Sequence, residues 1–421
     1  MTFPGTAAEE SPPEPARGVR VVIDARPVQD PERAPLTAIY VGELLAALDA
    51  EPLEGESFSL LLAAGLPDPT EAFTRLPVVG RRRLPPTRLL RSGALTADPL
   101  LLRGASVGAG WRAEREGAAG SVYHAAGGGL PILSGIPVVA ALLDLAPWAI
   151  PQDYQRGTAA RFGQRLRARI LRDAAAVLVP ARAAVGETRR LLRVRRDRIR
   201  VVPLAARPAF RPEALGAGLA ERTRLGLGAR YAVYTGRYDA RQDLPTLLEA
   251  LGRLAESPAP IGVPAGAWPP RVCLVGASPE DRAALSRAAL RTGVAELLAY
   301  APVLPDARLA GLVAGARMVV QPARAEIAGI AALEALATGV PVVASAVGTL
   351  PEIVGPAGIL VEPGDPTRLA AAIAAAWSDE DPYPGLVAAA RERAQRHRTW
   401  ADVARETRAV WAQVAGRAPL L

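Results

Sequence analysis

The stretch that decides the fold of this chain is Arg317-Met318-Val319-Val320-Gln321-Pro322-Ala323-Arg324-Ala325-Glu326-Ile327-Ala328-Gly329-Ile330-Ala331-Ala332-Leu333-Glu334. Its first part, residues 317–321, is short, apolar and bounded by Pro322, which predicts a buried parallel strand. Residues 330–338 are rich in Ala and Leu and predict a helix that ends at Gly339. Glu326 is then expected in the strand-to-helix loop, and Glu334 about one turn into the helix.

The start of this predicted helix suits an anion. The free N–H groups and the dipole of a helix N-terminus favour negative charge, and Gly329 lets a ligand approach the backbone closely. Carboxylates such as Glu326 and Glu334 do not bind phosphate, but they accept hydrogen bonds from hydroxyls. Together these features suit a nucleotide diphosphate that carries a sugar. The alternative is a solvated loop glutamate and a glutamate on the helix surface.

The stretch also resembles the Glu-x7-Glu signature of family-4-type retaining glycosyltransferases, which have the GT-B fold. Further blocks resemble that family in order, namely Val201-Val202-Pro203, Phe210-Arg211-Pro212, Tyr231-Ala232-Val233-Tyr234-Thr235-Gly236-Arg237, Gly348-Thr349-Leu350-Pro351-Glu352-Ile353-Val354, Gly358-Ile359-Leu360-Val361-Glu362-Pro363 and Arg398-Thr399-Trp400. The similarity runs from about Val19 to Val414, and it is more specific in the second half.

Strand-like and helix-like runs alternate along the rest of the chain, which predicts parallel sheets with helices on both faces. The resemblance implies an α/β fold of two Rossmann-like parallel-sheet domains that face each other across a cleft. It also implies a C-terminal helix that crosses back to the first domain. We expect a disordered tail at residues 1–17, an N-terminal acceptor-side domain at 18–212, a C-terminal donor domain at 213–400 and the returning helix at 401–421.

The resemblance implies the site residues as well. They are Arg237 and Glu326 as catalytic residues, Gly236, Arg241, Gly329, Ile330 and Glu334 on the donor nucleotide, and His124 and Asp144 on the acceptor side. In this picture Arg237 meets the diphosphate, Glu326 the transferred sugar and Glu334 the ribose hydroxyls. For His124 a structural role is the alternative. No metal and no cofactor are expected, because cations and amides compensate the diphosphate in this family.

Several positions depart from the family pattern. Gln242 stands where the family usually has a Lys, and the adjacent Arg241 substitutes only if its side chain turns into the cleft. Residues 34–40 lack the glycine of the family's first turn, and Ile327 and Ala328 replace Gly or Pro and an aromatic residue. Together these changes suggest an altered substrate, weak catalysis or none.

Composition excludes several classes of protein. The 421 residues include one cysteine, Cys273, so an intramolecular disulfide and a cysteine-rich metal site are excluded. A single cysteine also fits a reducing cytoplasm. No apolar run reaches the length of a membrane span. We therefore expect a cytoplasmic protein. The net charge of +8 comes from arginines along the chain, and because no nucleic-acid motif accompanies them, we expect no nucleic-acid binding.

Two stretches, 81–91 and 161–172, combine arginines with apolar residues. The second places Phe162, Leu166 and Ile170 at helical spacing with arginines on the other side. A basic amphipathic helix of this kind lies on anionic membranes, and a core-facing stripe with a solvated basic face is the alternative. Peripheral contact with the inner face of the membrane through Arg-rich helices is therefore one expectation.

The family resemblance implies a retaining, metal-independent hexosyltransferase-type enzyme, as in polysaccharide biosynthesis. It would move a sugar from a nucleotide-diphosphate donor to an unknown glycan or lipid-linked acceptor. The alternative is a catalytically silent scaffold or partner subunit of the same fold. A sugar-nucleotide epimerase on this two-domain fold is a third hypothesis.

Overall fold

The computed structural model of the chain describes residues 19–85, 94–115 and 120–415. The predicted tail at 1–17, residues 86–91 of the first Arg-rich stretch and residues 416–421 of the predicted returning helix lie outside the described residues. The described part forms two parallel sheets accompanied by helices, which confirms the predicted α/β fold with two Rossmann-like domains. Within it, no helix is both long enough and apolar enough to cross a bilayer.

The first domain contains a seven-stranded parallel sheet in the order β3-β2-β1-β4-β5-β6-β7. Its strands are β1 Arg20–Asp24, β2 Ser57–Ala63, β3 Val78–Leu84, β4 Ser121–Ala126, β5 Val138–Ala141, β6 Ala176–Val179 and β7 Ile199–Val201. Its helices are α1 Arg26–Gln29, α2 Pro35–Ala50, α3 Ala94–Arg115, α4 Ala146–Ala149, α5 Pro151–Tyr154, α6 Thr158–Asp173 and α7 Ala183–Leu192. Strands β4, β5 and β6 are buried along their whole length, as in sheets covered on both faces.

The second domain contains a six-stranded parallel sheet in the order β10-β9-β8-β11-β12-β13. Its strands are β8 Ala232–Thr235, β9 Val272–Val275, β10 Leu298–Ala301, β11 Met318–Gln321, β12 Val342–Ser345 and β13 Gly358–Val361. Its helices are α8 Leu219–Arg224, α9 Leu244–Glu256, α10 Pro279–Arg291, α11 Asp306–Ala314, α12 Ile330–Ala337, α13 Leu350–Val354, α14 Pro366–Trp377 and α15 Tyr383–Gln395. The strand order reverses between β8 and β11, and sheets of this kind bind ligands outside the carboxyl ends of the strands at such a point.

The sequence did not predict the two edge strands of the first sheet, β3 and β7. Strand β3 contains Arg81, Arg82 and Arg83, and its interior residues are exposed. Charged side chains are common on edge strands, because they oppose pairing with other chains. The expectation of an Arg-rich helix is therefore wrong for residues 81–84, whereas residues 161–172 do lie in a helix, α6.

The last helix, α16 Trp400–Ala415, packs on α2 and β4 of the first domain. Val410, Trp411 and Val414 are buried in the core of that domain. The predicted return of the C-terminal helix is confirmed. The chain therefore passes between the domains twice, after β7 and before α16.

Candidate functional site

The candidate site begins at the loop between β11 and α12. Gly329 is the N-cap residue of α12, with φ of 61°. A Cβ atom at this position would lie 2.3 Å from Cδ1 of Ile353, so only glycine fits the left-handed and crowded turn. The predictions that Glu326 lies in this loop and Glu334 one turn into the helix are confirmed.

Glu326 is fixed by the backbone of its own loop. Its Oε1 accepts hydrogen bonds from the N–H groups of Ala328 and Gly329, each at 3.0 Å. Its Oε2 accepts one from Nε2 of Gln242, at 3.2 Å, on the turn after β8. The amide of Gly329 thus binds a carboxylate of the chain itself, and the expectation that it faces a ligand phosphate is wrong for this structure.

A cavity of about 220 Å³ lies between the two domains beside Glu326. The charged side chains that line it are Asp144 and Glu187 from the first domain and Arg241, Arg324 and Glu326 from the second. Pockets for drug-sized ligands are larger, about 300–1,000 Å³. The cavity therefore accommodates a small polar group such as one sugar ring, and a whole nucleotide sugar exceeds its volume.

Arg241 is the more deeply buried of the two arginines that line this cavity. Its Nη1 lies 3.0 Å from Oδ2 of Asp144 across the domain boundary, and its Nε lies 3.0 Å from Oδ1 of Asp239. Burial alone would lower the pKa of Arg241, but the carboxylates of Asp144 and Asp239 outweigh burial and keep the guanidinium charged. The side chain therefore does turn into the cleft, and the structure brings Arg241, Asp144 and Glu326 together.

Arg237 occupies a different position from the one expected. It follows Gly236, whose φ is 153°, and its Nε pairs with Oδ2 of Asp239 at 2.9 Å. The side chain is 42 % exposed and is not among those that line the cavity. Asp239 holds both Arg237 and Arg241, so the turn after β8 presents Arg241 to the cavity and Arg237 to solvent.

Glu334 is buried against the segment that links the domains. Its Oε1 accepts from Nε of Arg207 at 2.6 Å, and its Oε2 accepts from Nη2 of the same guanidinium at 3.1 Å. Burial raises the pKa of Glu334, and Arg207 opposes that effect. Glu326 and Glu334 therefore have different partners, and the expected convergence of Arg237, Glu326 and Glu334 on one crevice is not seen. Sequence reasoning missed Arg207, which lies between two family-like blocks.

Part of the cleft expected between the domains is filled by the chain's own residues. Ile327 is 3 % exposed and lies in an apolar cluster otherwise formed by first-domain residues such as Leu142 and Leu145. Ala328 lies in the other core cluster of that domain, and Ile330, the first residue of α12, packs against it. The β-branched side chain of Ile327, in place of the family's Gly or Pro, supplies the apolar surface for this contact between the loop of Glu326 and the first domain.

His124 does not lie on the acceptor side. It is 1 % exposed, its Nε2 lies 3.2 Å from the hydroxyl of Tyr40, and its Nδ1 accepts from Nε1 of Trp411 at 3.1 Å. Burial lowers its pKa to about 3. The expectation of an acceptor-side histidine is wrong, because both ring nitrogens have partners inside the core, Nε2 with Tyr40 of α2 and Nδ1 with Trp411 of α16. Of the two acceptor-side candidates, Asp144 faces the cavity.

The ion pair of Arg207 and Glu334 has an acidic neighbour from the first domain, Glu43 on α2. Burial, then the carboxylate of Asp306, raise the pKa of Glu43 to about 7, while Arg207 lowers it and Glu334 adds to the rise. The folded protein therefore holds a proton on Glu43 at pH values at which the unfolded chain, with a pKa near 4.5, has released it.

We expect the stability of the protein to fall as the pH rises from about 5 to about 8. A raised folded-state pKa contributes stability that is complete below the unfolded pKa and is lost as the pH passes the folded pKa. Thermal unfolding at a series of pH values measures this change. In Glu43→Gln the decline should be shallower, and an unchanged pH profile in that variant would show that another group is responsible.

Comparison with known proteins supports the glycosyltransferase resemblance of the second domain. Residues 229–379 match the family described as "Glycosyl transferases group 1". A D-inositol 3-phosphate glycosyltransferase of Streptomyces griseus is 35 % identical over 188 residues, which cover 42 % of this chain and 38 % of that protein. The MMP alpha-(1->4)-mannosyltransferase of Mycolicibacterium hassiacum is 34 % identical over 128 residues, which cover 30 % of this chain and 31 % of that one. The chain thus spans less than half the length of these curated relatives.

Similarity to solved structures extends over nearly the whole chain. Sucrose-phosphate synthase from Thermosynechococcus elongatus superposes with a TM-score of 0.69 at 22 % identity, covering 94 % of this chain and 98 % of that one. Anabaena Alr3699/HepE, in complex with UDP and glucose, superposes with a TM-score of 0.65 at 16 % identity, covering 94 % and 99 %. At these identities the likeness shows the fold, and that fold is GT-B.

Proposed function

Residues 229–379 of this chain match the glycosyl transferases group 1 family, and from that premise we propose that the protein is a retaining, metal-independent glycosyltransferase that uses a nucleotide-diphosphate sugar. The observation that carries the proposal is the cavity at the switch point of the second sheet. A fixed carboxylate, Glu326, and a charged guanidinium, Arg241, line it together with Asp144 of the opposite domain. Hydroxyl acceptors beside a cation suit a sugar attached to a diphosphate.

Two buried polar atoms next to Glu326 support the assignment of a sugar to this place. Oε1 of Gln242 and Oγ1 of Thr349 are buried and have no hydrogen-bond partner in the described structure. Gln242 donates to Glu326, and the N–H of Thr349 donates to the carbonyl of Glu326 at 3.1 Å. Buried polar atoms are normally paired, so these two atoms leave hydrogen-bonding capacity beside Glu326 that a sugar hydroxyl could use.

In the proposed reaction the acceptor oxygen forms a bond to the anomeric carbon while the bond from that carbon to the diphosphate breaks. The departing diphosphate takes the acceptor proton on the same face of the sugar, which retains the configuration. Arg241 would compensate the charge that develops on the diphosphate, and Glu326 would hold sugar hydroxyls. Preorganised charges of this kind are worth most in a water-excluded site, and the closed domain contact supplies that exclusion.

Donor binding requires the ion pair between Arg241 and Asp144 to separate. The cavity is too small for a nucleotide, and both members of this pair line it while they join the two domains. The pair of Arg324 with Asp153, at 3.2 Å, joins them nearby. We propose that the described closed form opens to admit the donor and that Arg241 then exchanges Asp144 for the diphosphate, with release of Asp144 toward the acceptor.

Neighbours suggest the donor but leave the acceptor open. Anabaena Alr3699/HepE has been solved in complex with UDP-glucose, so a UDP-sugar is the first donor to test. The names of the curated relatives give an inositol phosphate as one acceptor class to screen. Our proposal for the acceptor is a glycan or a lipid-linked molecule, used in the cytoplasm.

The test is calorimetry of the full chain against UDP-sugars and GDP-sugars. We expect one of them to bind, and Arg241→Gln to weaken binding about 10- to 150-fold, the value of one hydrogen bond between charged groups. The matched control is Arg237→Gln on the same turn, which exposes no buried partner and should change binding less. An equal loss of donor affinity in the two variants would indicate that Arg237 also contacts the donor.

A catalytically silent relative is the second candidate, and two observations favour it. Glu334 is occupied by Arg207, and Ile327 fills the domain boundary. This candidate predicts no binding heat with any nucleotide sugar in wild type or in Ile327→Gly. If Ile327→Gly binds a donor that the wild-type protein does not, the fold retains the site and the isoleucine blocks it.

A further inference from the structure

The positive charge of this protein is concentrated in one segment. Residues 158–200 contain thirteen arginines and three acidic residues, an excess larger than the net charge of +8 for the whole chain. The remainder of the protein is therefore slightly acidic. The arginines are therefore not spread evenly along the chain. Their concentration in residues 158–200 makes one part of the first domain strongly basic.

The fold places these arginines on one surface. Strands β5, β6 and β7 are consecutive neighbours in the parallel sheet, and α6 and α7 are the connections between them. Such connections are right-handed, so both helices lie on the same face of the sheet. Nη1 of Arg198 donates to the carbonyl of Arg172 at 2.7 Å, which joins the turn after α7 to the end of α6.

We call this surface the arginine face. Its exposed arginines are Arg161, Arg165, Arg169 and Arg172 on α6, and Arg189, Arg190, Arg193, Arg195 and Arg196 on α7 and the turn after it. An open surface groove of about 950 Å³ is lined by those of α7 and the turn. The arginine face therefore combines the solvent side of a helix with a wide basic groove.

Acidic residues compensate only a small part of this charge. Asp197 pairs with Arg195 at 2.7 Å, and Glu187 lies 4.0 Å from Arg190. In the described parts of the chain (19–85, 94–115 and 120–415), these are the only two ion pairs within 4.0 Å that members of the arginine face make. A surface with this much uncompensated charge attracts an extended anionic partner.

One large apolar side chain distinguishes a membrane from a soluble polyanion. Phe162, in the first turn of α6, is 59 % exposed among the arginines. The predicted apolar stripe of α6 is therefore divided, because Ile170 is buried in the core whereas Phe162 points to solvent. An exposed aromatic ring on a basic helix inserts at the boundary between headgroups and acyl chains, and a soluble polyanion without aromatic groups, such as heparin, offers it no equivalent environment.

We propose that the arginine face docks the protein on an anionic lipid bilayer. Helix α7 leads from that face to the candidate site, because Glu187 of α7 lines the cavity and the N–H group of Ala183 at its start donates to Glu352 of the second domain at 2.9 Å. A helix of ten residues is about 15 Å long. Docking would thus hold the cleft close to the membrane surface, where lipid-linked molecules are presented.

Co-sedimentation with vesicles tests the proposal. We expect the full chain to bind vesicles of phosphatidylcholine mixed with phosphatidylglycerol but not vesicles of phosphatidylcholine alone. Binding should weaken between about 0.1 M and about 1 M salt, because the Debye length falls from about 10 Å to about 3 Å. In Arg189→Gln/Arg193→Gln/Arg196→Gln the partition coefficient should fall about 100-fold, as three contributions of about 1 kcal/mol each imply.

Matched controls come from the second domain. The triple variant Arg287→Gln/Arg291→Gln/Arg391→Gln removes the same charge from exposed positions on α10 and α15 and should bind vesicles like wild type. Phe162→Ser should weaken binding, whereas Leu290→Ser, at a site that is 69 % exposed, should not. Equal losses in the two triple variants, or binding to heparin without binding to anionic vesicles, would overturn the proposal.

This proposal is independent of the transferase activity. The variants of the arginine face leave the cavity and its lining unchanged, so calorimetry with nucleotide sugars should give the wild-type result. Vesicle binding without any donor binding would support membrane docking by the arginine face and contradict the proposed transfer reaction. Donor binding without vesicle binding would support the transfer reaction and contradict membrane docking.

Discussion

Replacing Arg207 with alanine is expected to destabilise the protein by about 3–5 kcal/mol, the usual cost of leaving one partner of a buried ion pair alone. The side chains of Arg207 and Glu334 are 12 % and 4 % exposed, and two hydrogen bonds join them. Without Arg207, the carboxylate of Glu334 must take up a proton or remain buried and unpaired. Urea unfolding followed by tryptophan fluorescence measures the loss.

The paired variant separates the cost of an orphaned charge from the value of the ion pair. In Arg207→Met/Glu334→Leu both charges are replaced by apolar groups of similar size, and stability should recover to within about 1–2 kcal/mol of wild type. Asp306 also pairs with Arg207, but it is 47 % exposed, so water can replace that contact. If the double variant is as unstable as Arg207→Ala, the pair is needed for the position of α12 and the charge argument is wrong.

Glu326→Gln is expected to lower sugar transfer about 10- to 150-fold for each charge-assisted hydrogen bond to the sugar that it removes. Stability should change little. The amide oxygen of the new side chain can still accept from the N–H groups of Ala328 and Gly329. Gln242 can rotate its amide and present Oε1, which lacks a partner, to the new NH₂ group.

Transfer is measured with the nucleotide sugar that binds in calorimetry, and proton NMR of the product reports the anomeric configuration. Glu362→Gln, at an exposed position of another family-like block, is the matched control and should be fully active. Wild-type activity in Glu326→Gln would remove Glu326 from the reaction. Loss of folding in Glu326→Gln would show that the carboxylate is needed for the loop and would leave its contact with the sugar to be tested through donor affinity.

Much of the fold followed from local patterns. The run Met318–Gln321 is apolar, short and followed by a helix-forming run, and it became the buried strand β11 and helix α12. The edge strand β3 was missed because arginines at successive positions hide the alternation that identifies a strand. Edge strands depend on hydrogen bonds to a neighbour distant in sequence, so their own residues give a weak signal.

The site followed from the sequence only in part. Glu326 and Asp144 face the predicted cleft, whereas His124 lies in a core formed with Trp411, which is 287 residues away. From the sequence, Arg237 is a better candidate than Arg241 for the diphosphate, because it directly follows Gly236. The turn after β8 reverses that order, since Asp239 binds both guanidiniums and directs only Arg241 into the cavity.

The sequence by itself determined the α/β class, the two sheets and the family-like loops, because hydrophobic periodicity and glycine positions act over a few neighbouring residues. Only the tertiary structure decided which charges meet. Arg207 reaches Glu334, Arg241 reaches Asp144, and the arginines of α6 and α7 share one face. Each of these outcomes depends on how domains and crossover helices pack, and side chains far apart in sequence carry no local signal of that packing.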